Sequence, residues 1–513
     1  MSYVTYNEAS EATHSAEETG ERSRKRRREE SDEVGDVSGR KIRRIRHEDL
    51  LVPRFLGDII ENRDIVAFAE SASKFPMHPI LQNIIREDGL ERLADDRLLV
   101  PDSVTFEKVE HKFNTMVKFV PSAPNQKSSG RCWMFAALNT VRTAMMNKYI
   151  LEGDFEFSES HLFFWDKLER ANIFLERVIK YAGEGFDSDW NGSIFHRPVS
   201  DGGEWQYFQN LVEKYGLVPK KDMPETADTS SSSQICELLS SHLRAYGLEL
   251  RGMANDASVS PEAIIERKKE LLNIIYEILV KTFREPPKTI TWEFKLRELR
   301  HPKTKTVPDL TPREFFRRYV PYGLEGRVSL CNNPSEGYEY DKLYAHETGL
   351  KLAGGALQSY LNLKYDDIVS IVIKSIEAGD SVYFTCNVGD KLDKKRETLD
   401  LRNHDFSLLF PRIPEMTKKE RMDTGEAHST HAMTLVGVEL KDKKPVRWCV
   451  LNSWGSRKGQ DGKITMTHDW FLQNTFKFTV AKKYLPDEVK ELFKQEPEIV
   501  PIEGMSRSFD EDF

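Results

Sequence analysis

The hydrophobic pattern of this chain changes period once. Between residues 132 and 283 apolar positions recur every three or four residues, the rhythm of helices with one buried face. In CWMFAALNTVRTAMMNKYI, Met134, Ala137, Leu138, Val141 and Met145 keep that spacing, with no Gly or Pro to interrupt it. In PEAIIERKKELLNIIYEILVKTF, Ile264, Ile265, Leu271, Leu272, Ile275 and Leu279 do the same. The stretch ICELLSSHLRAYGLELRGM also reads as helix, so 230–300 is expected to be helical, with DTSSSS at 228–233 as a surface loop. After about residue 380 the apolar runs shorten. SVYFTCNVG, HAMTLVGVEL, RWCVLNSWG and GKITMTHDW are β-branched and aromatic-rich and are bounded by turn residues, as strands are. The pattern predicts an α+β fold, with a helical N-terminal part followed by a β-rich C-terminal part, and shows no internal repeat.

Residues 1–47 break from this texture. They are rich in Glu, Ser, Arg and Lys and poor in large apolar groups, so they are expected to be a disordered extension. They carry two basic clusters, Arg24 to Arg28 and Arg40 to Arg46. The whole chain, 513 residues and 39% hydrophobic, is ample for a sizeable core. A net charge of −8 argues against general affinity for nucleic acid or membranes. The five cysteines, Cys132, Cys236, Cys331, Cys386 and Cys449, are scattered and never form a CxxC pair. That pattern predicts free thiols rather than a disulfide framework or zinc cluster. With no signal-like apolar segment and no run of about 18 apolar residues, an intracellular protein that does not enter membranes is expected.

One cysteine stands out. Cys132 follows a Lys-Ser-Ser-Gly turn and opens a predicted helix, where a capping residue is expected before it. Unpaired N–H groups and the helix dipole stabilise an anion there, which should lower a thiol's pKa. Gly130 would allow close approach of a substrate. Gln126, six residues upstream, can join the Cys132 backbone N–H in donating to a tetrahedral oxyanion. The bland alternative, a small buried hydrophobe, fits the other four cysteines better.

A thiol nucleophile needs a base. His431 begins the strand HAMTLVGVEL, and Asn452 ends the strand VLN twenty-one residues later. A hairpin would let Asn452 accept from one ring N–H of His431 and leave the other nitrogen for Cys132. Trp454 could shield that bond. His428 is the competing base. His428 and His431 could form a metal pair, but no further ligand has suitable spacing, and neither metal nor cofactor is expected.

These segments resemble the bleomycin hydrolase family of papain-like cysteine peptidases. The resemblance rests on NQKSSGRCWMFA (125–136), SDGGEW (200–205), LVEKYGLVPK (211–220), THAM (430–433) and NSWG (452–455), and covers roughly residues 50–504. It implies a papain-like domain over 48–504 with helical insertions around 230–300. These would account for the 299 residues from Cys132 to His431, against about 130–150 in papain. It also implies aminopeptidase activity on peptide substrates, a cytosolic location and a homohexameric barrel with inward-facing active sites. By position it gives catalytic roles to Gln126, Cys132, His431 and Asn452, and places Gly202 and Gly203 along the cleft, where a glycine pair suits an extended peptide. Three features depart from the family pattern. Glu204 and Leu451 stand where Gln and Glu are expected. The family's C-terminal carboxylate lies in the cleft and meets the substrate's α-ammonium, whereas here 505–513 form a longer acidic tail. The basic N-terminal extension lies outside the family core.

Three alternatives stay open at this stage. An endopeptidase or an acyltransferase could use the same Cys-His pair. A nucleic-acid-binding role could reside in the arginine clusters, whose rival reading is a nuclear import signal. Glu29, Glu30, Asp32 and Glu33 separate the clusters and favour a solvated tail.

Overall fold

The computed structural model describes residues 113–500 apart from 152–154, 187–193, 347–354, 356, 358, 390, 395, 404–413 and 458–460, together with 60, 62–74 and 79–95. The extension 1–47, with both arginine clusters, and the tail 505–513 lie outside the described residues. The chain divides into two compact units, 1–78 and 79–513. The first contains helix α1 (Asn62–Ser73), which buries no residue.

In the second unit a helix over Pro79–Asp95 precedes α2 (Cys132–Lys148) and α3 (Glu159–Lys180), the last capped by the Ser158 hydroxyl, which accepts from the His161 N–H at 3.0 Å. Next come α4 (Trp205–Tyr215), the single turn α5 (Ala227–Ser230), α6 (Ser233–Asn255) and α7 (Pro261–Phe283). Ser260 caps α7 and Pro261 starts it, a pairing that suits a helix N-terminus. Its buried face is Ile264, Leu271, Ile275, Leu279 and Phe283. Ile265, expected on that face, is 49% exposed, because one residue's step of 100° carries it off a narrow stripe. Helix does not continue to 300. Strands β1 (Ile290–Leu296) and β2 (Lys305–Leu310) pair antiparallel, as the alternating burial of Ile290, Trp292 and Phe294 requires.

A large sheet follows. Its central strands are β3 (Arg327–Cys331), β4 (Val382–Cys386), β5 (His431–Lys441), β6 (Lys444–Leu451), β7 (Lys463–Thr467) and β8 (Thr475–Ala481). In space they run β3, β8, β4, β5, β6, β7, each antiparallel to its neighbours. All five residues of β4 are buried, and they alternate between two cores: Tyr383 joins the helical core around Trp133 and Phe163, while Val382 and Phe384 join that of Leu435, Trp448 and Phe478. The segment GKITMTHDW is a strand only as far as Thr467, whose hydroxyl caps the helix His468–Asn474.

Helix α2 lies across this sheet. The Thr434 hydroxyl of β5 donates to the Ala136 carbonyl of α2 at 2.9 Å, which ties the first turns of the helix to the strand that begins at His431. The DTSSSS run is not a surface loop. Thr226 and Thr229 form a capping box around α5, and Thr229 and Ser232 are buried. Their hydroxyls find carboxylate partners in Glu225 and Asp201, which compensates the burial of short polar side chains. Among the described residues, no helix is long and apolar enough to cross a membrane.

Candidate active site

Cys132 is the first residue of α2, and buried polar contacts fix the turn before it. Arg131 occupies the N-cap and makes no side-chain cap bond, so the expected capping by the preceding turn is absent. Instead the Arg131 guanidinium is 0% exposed and donates to both oxygens of Glu225, at 3.1 and 2.8 Å, while its Nε donates to Ser129 Oγ at 2.9 Å. It also lies 5.2 and 5.0 Å from the ring centres of Phe135 and Phe163. On the other side Asp201 Oδ2 accepts from the Gly130 N–H at 3.3 Å, and the Asp201 carbonyl accepts from the Trp133 indole at 2.7 Å. Lys167, fully buried, holds Asp201 at 2.9 Å. The turn is thus gripped from two directions.

His431 and Asn452 come together through the β5–β6 hairpin, whose register pairs Thr434 with Leu451. His431 Nε2 and Asn452 Oδ1 are 2.8 Å apart. The same oxygen accepts the Ser453 N–H at 2.7 Å, so it acts as acceptor and the ring nitrogen as donor. Trp454 stacks over the imidazole, with centroids 5.2 Å apart and planes at 28°. With Nε2 committed, Nδ1 is the nitrogen left for a thiol. The backbone N–H groups of Ala432, Trp133 and Cys132 itself act on the Cys132 thiol, and the Thr434–Ala136 bond ties the helix that opens on Cys132 to the strand that opens on His431. His428 is elsewhere: its Nδ1 lies 3.3 Å from the Gly425 carbonyl.

Burial dominates the electrostatics. It pushes the Cys132 thiol up to about 11, outweighing the lowering by those three N–H groups. It holds His431 down to about 4, opposed by the bond to Asn452. The helix start therefore does not depress the resting thiol, contrary to the expectation from sequence. Each lone charge is penalised, whereas moving the proton from sulfur to Nδ1 creates both charges together and leaves the net charge unchanged.

Gln126 is anchored to the hairpin. Its backbone N–H donates to the Ser453 carbonyl at 2.8 Å, its Oε1 accepts from the Ser453 hydroxyl, and its Nε2 donates to the Ser129 carbonyl at 2.7 Å. The Ser453 hydroxyl thereby fixes which end of the amide is the donor. Gly202 and Gly203 lie against the same region. The Gly202 carbonyl accepts from Arg170, and a Cβ on Gly203 would sit 2.6 Å from the Trp133 ring, so only glycine fits that approach. Sequence reasoning missed Arg131, Glu225, Asp201, Lys167 and Ser453. Their partners are distant in sequence, and a charged residue beside a motif gives no sign that it is buried. Arg131, Asp201 and Ser453 had a signal, their places inside NQKSSGRCWMFA, SDGGEW and NSWG.

A helix that opens on cysteine, laid over a sheet whose hairpin presents a His–Asn pair, defines the papain-like class of cysteine peptidase. Residues 59–504 match the model of the Peptidase C1-like family. The chain belongs to that family. It is similar to aminopeptidase C of Lactobacillus delbrueckii subsp. lactis, 34% identical over 85% of this chain and 96% of the relative. It is also similar to human bleomycin hydrolase, 32% identical over 86% and 97%. The crystal structure of PepW from a Lactobacillus rhamnosis strain superposes with a TM-score of 0.81 at 34% identity, covering 88% of this chain and 99% of that one.

Proposed function

We propose that Cys132, His431, Asn452 and Gln126 form the catalytic apparatus of a cysteine aminopeptidase. The observation that carries this is the His431–Asn452 bond at the head of the strand to which the helix opening on Cys132 is tied. The sulfur gives its proton to His431 Nδ1 and attacks the scissile carbonyl carbon. The oxyanion that forms takes hydrogen bonds from the Cys132 N–H and Gln126 Nε2. Imidazolium then protonates the leaving amine, the C–N bond breaks, and a thioester remains. Water, deprotonated by His431, releases the acid and restores the thiol. The substrates are the free amino ends of peptides, and the names of the relatives extend this to bleomycin-like amides. Comparison of free and N-acetylated peptides tests the exopeptidase assignment; equal rates would make the enzyme an endopeptidase.

Replacing Gln126 by Ala removes one oxyanion donor. The expected result is a fall in kcat of about 10²–10³-fold with little change in KM. Steady-state kinetics, normalised to titrated thiol, check this; a change confined to KM would reassign Gln126 to substrate binding.

A cytoplasmic homohexamer and a peptidase domain over 48–504 with its insertion at 230–300 follow from the family resemblance, and the appended terminal segments from composition. The arginine clusters make nuclear entry or nucleic-acid contact a secondary role, tested by deleting 1–47.

A further inference from the structure

An aminopeptidase must distinguish a free, positively charged amino terminus from a neutral, acylated or extended one. We propose that the Glu204–Lys477 ion pair makes that distinction by presenting a carboxylate on the cleft side next to Gly203. The inference rests on the aminopeptidase reading and goes beyond it, because it locates the recognition in two side chains of the folded domain.

The pair belongs to a closed ring of contacts that includes the nucleophile. The helix that opens on Cys132 is bonded to β5 through Thr434, two residues beyond Ala432. Ala432 is the cross-strand partner of Thr385 on β4. The Thr385 hydroxyl accepts the Lys477 N–H of β8 at 3.3 Å. Lys477 Nζ pairs with Glu204 Oε1. Glu204 follows Gly203, whose backbone lies against the Trp133 ring, and Trp133 follows Cys132. Glu204 thus stands beside the cleft glycines and the helix that carries the sulfur, and Lys477 lies two strands away from β5. The pair also bridges the two halves of the fold, since Glu204 immediately precedes α4, with no side-chain cap bond, and Lys477 lies in the sheet.

Its polarity is asymmetric. The Lys477 side chain is 5% exposed and sits 4.9 Å from the centre of the Tyr360 ring, whereas the Glu204 side chain is 22% exposed. The lysine is thus the inner member and the carboxylate the outer one. An ammonium group arriving there meets the carboxylate before the lysine, in a site of restricted solvent where Coulombic effects exceed those in water. An acyl group or an apolar side chain would instead desolvate a mostly buried ion pair and give nothing in return. Burial holds the Tyr383 hydroxyl, which has no hydrogen-bond partner among the described residues, well above the usual phenol range, and Glu204 and Cys132 both add to that rise.

The test compares kcat/KM for an aminoacyl anilide and its N-acetyl form, with active sites counted by a thiol-directed titrant. In Glu204→Gln, the free-to-acetyl ratio should fall at least about tenfold, mainly through a higher KM for the free amine. The charge-swapped double variant Glu204→Lys, Lys477→Glu retains an ion pair and inverts the outer sign; its ratio should fall further. In the unmodified enzyme, raising salt should raise KM for the free amine and leave the acetylated substrate unchanged, which requires no variant to fold. A ratio within twofold of the parent in titrated Glu204→Gln, or a KM insensitive to salt, overturns the inference. A parent enzyme that cleaves both substrates equally overturns the aminopeptidase reading itself, so the two failures are distinguishable.

Discussion

Cys132→Ala should abolish peptide hydrolysis, with kcat lowered by at least about 10⁴-fold, while the protein unfolds at the same urea concentration to within about 1 kcal/mol. The size of the loss follows from the chemistry, since no other group can form the acyl bond. Of the remaining four cysteines, Cys331, Cys386 and Cys449 are buried in the sheet, and Cys236 is engaged with Asp201. The small stability change follows from the size of the deletion: one sulfur is lost from a site lined by backbone N–H groups that a thiol satisfies only weakly. Hydrolysis assays and urea titration together check both halves. Substantial residual turnover would remove Cys132 from the mechanism.

The second large effect is on stability. Glu225→Ala should cost about 3–5 kcal/mol, because it leaves the Arg131 guanidinium buried without its carboxylate. Arg131 would retain Ser129 and the rings of Phe135 and Phe163, none of which carries a neutralising charge. Burial alone would raise the Glu225 carboxyl; the guanidinium beside it instead holds it below the usual carboxylate range. Arg131 directly precedes the nucleophile, so thiol titration should fall along with the unfolding free energy. A cost under about 1 kcal/mol would mean that the aromatic rings and water suffice to hold the cation.

How much of this was legible in the sequence depended on the range of the interaction. The helix from Cys132 was readable because no Gly or Pro interrupts it for seventeen residues, although it is buried on every face as far as Thr143 rather than along one stripe. The His431–Asn452 approach was readable because two strands in sequence form a hairpin, and hairpin geometry brings the start of one to the end of the other. The DTSSSS segment was misread because short polar residues suit a loop and a buried network equally, and only the placement of Asp201 and Glu225 decides between them. The Glu204–Lys477 pair spans 273 residues and could not be read locally; the sequence offered only Glu204 as a departure from the family pattern. The thiol was misjudged for a related reason. Helix-end electrostatics can be inferred from position, but desolvation depends on what covers the group, and Cys132 is 2% exposed.

The most direct measurement is inactivation by a thiol-directed epoxide, followed by peptide mapping, across a range of pH. A pair that shares one proton exists between about pH 4, where His431 takes a second proton, and about pH 11, where the thiol proton is lost. Label confined to the peptide containing Cys132, with an acid limit near pH 4 that disappears in His431→Ala as the rate collapses, is the predicted result. Label spread over several cysteines, or a rate at Cys132 indifferent to the loss of His431, would contradict the paired thiol and imidazole on which the mechanism depends.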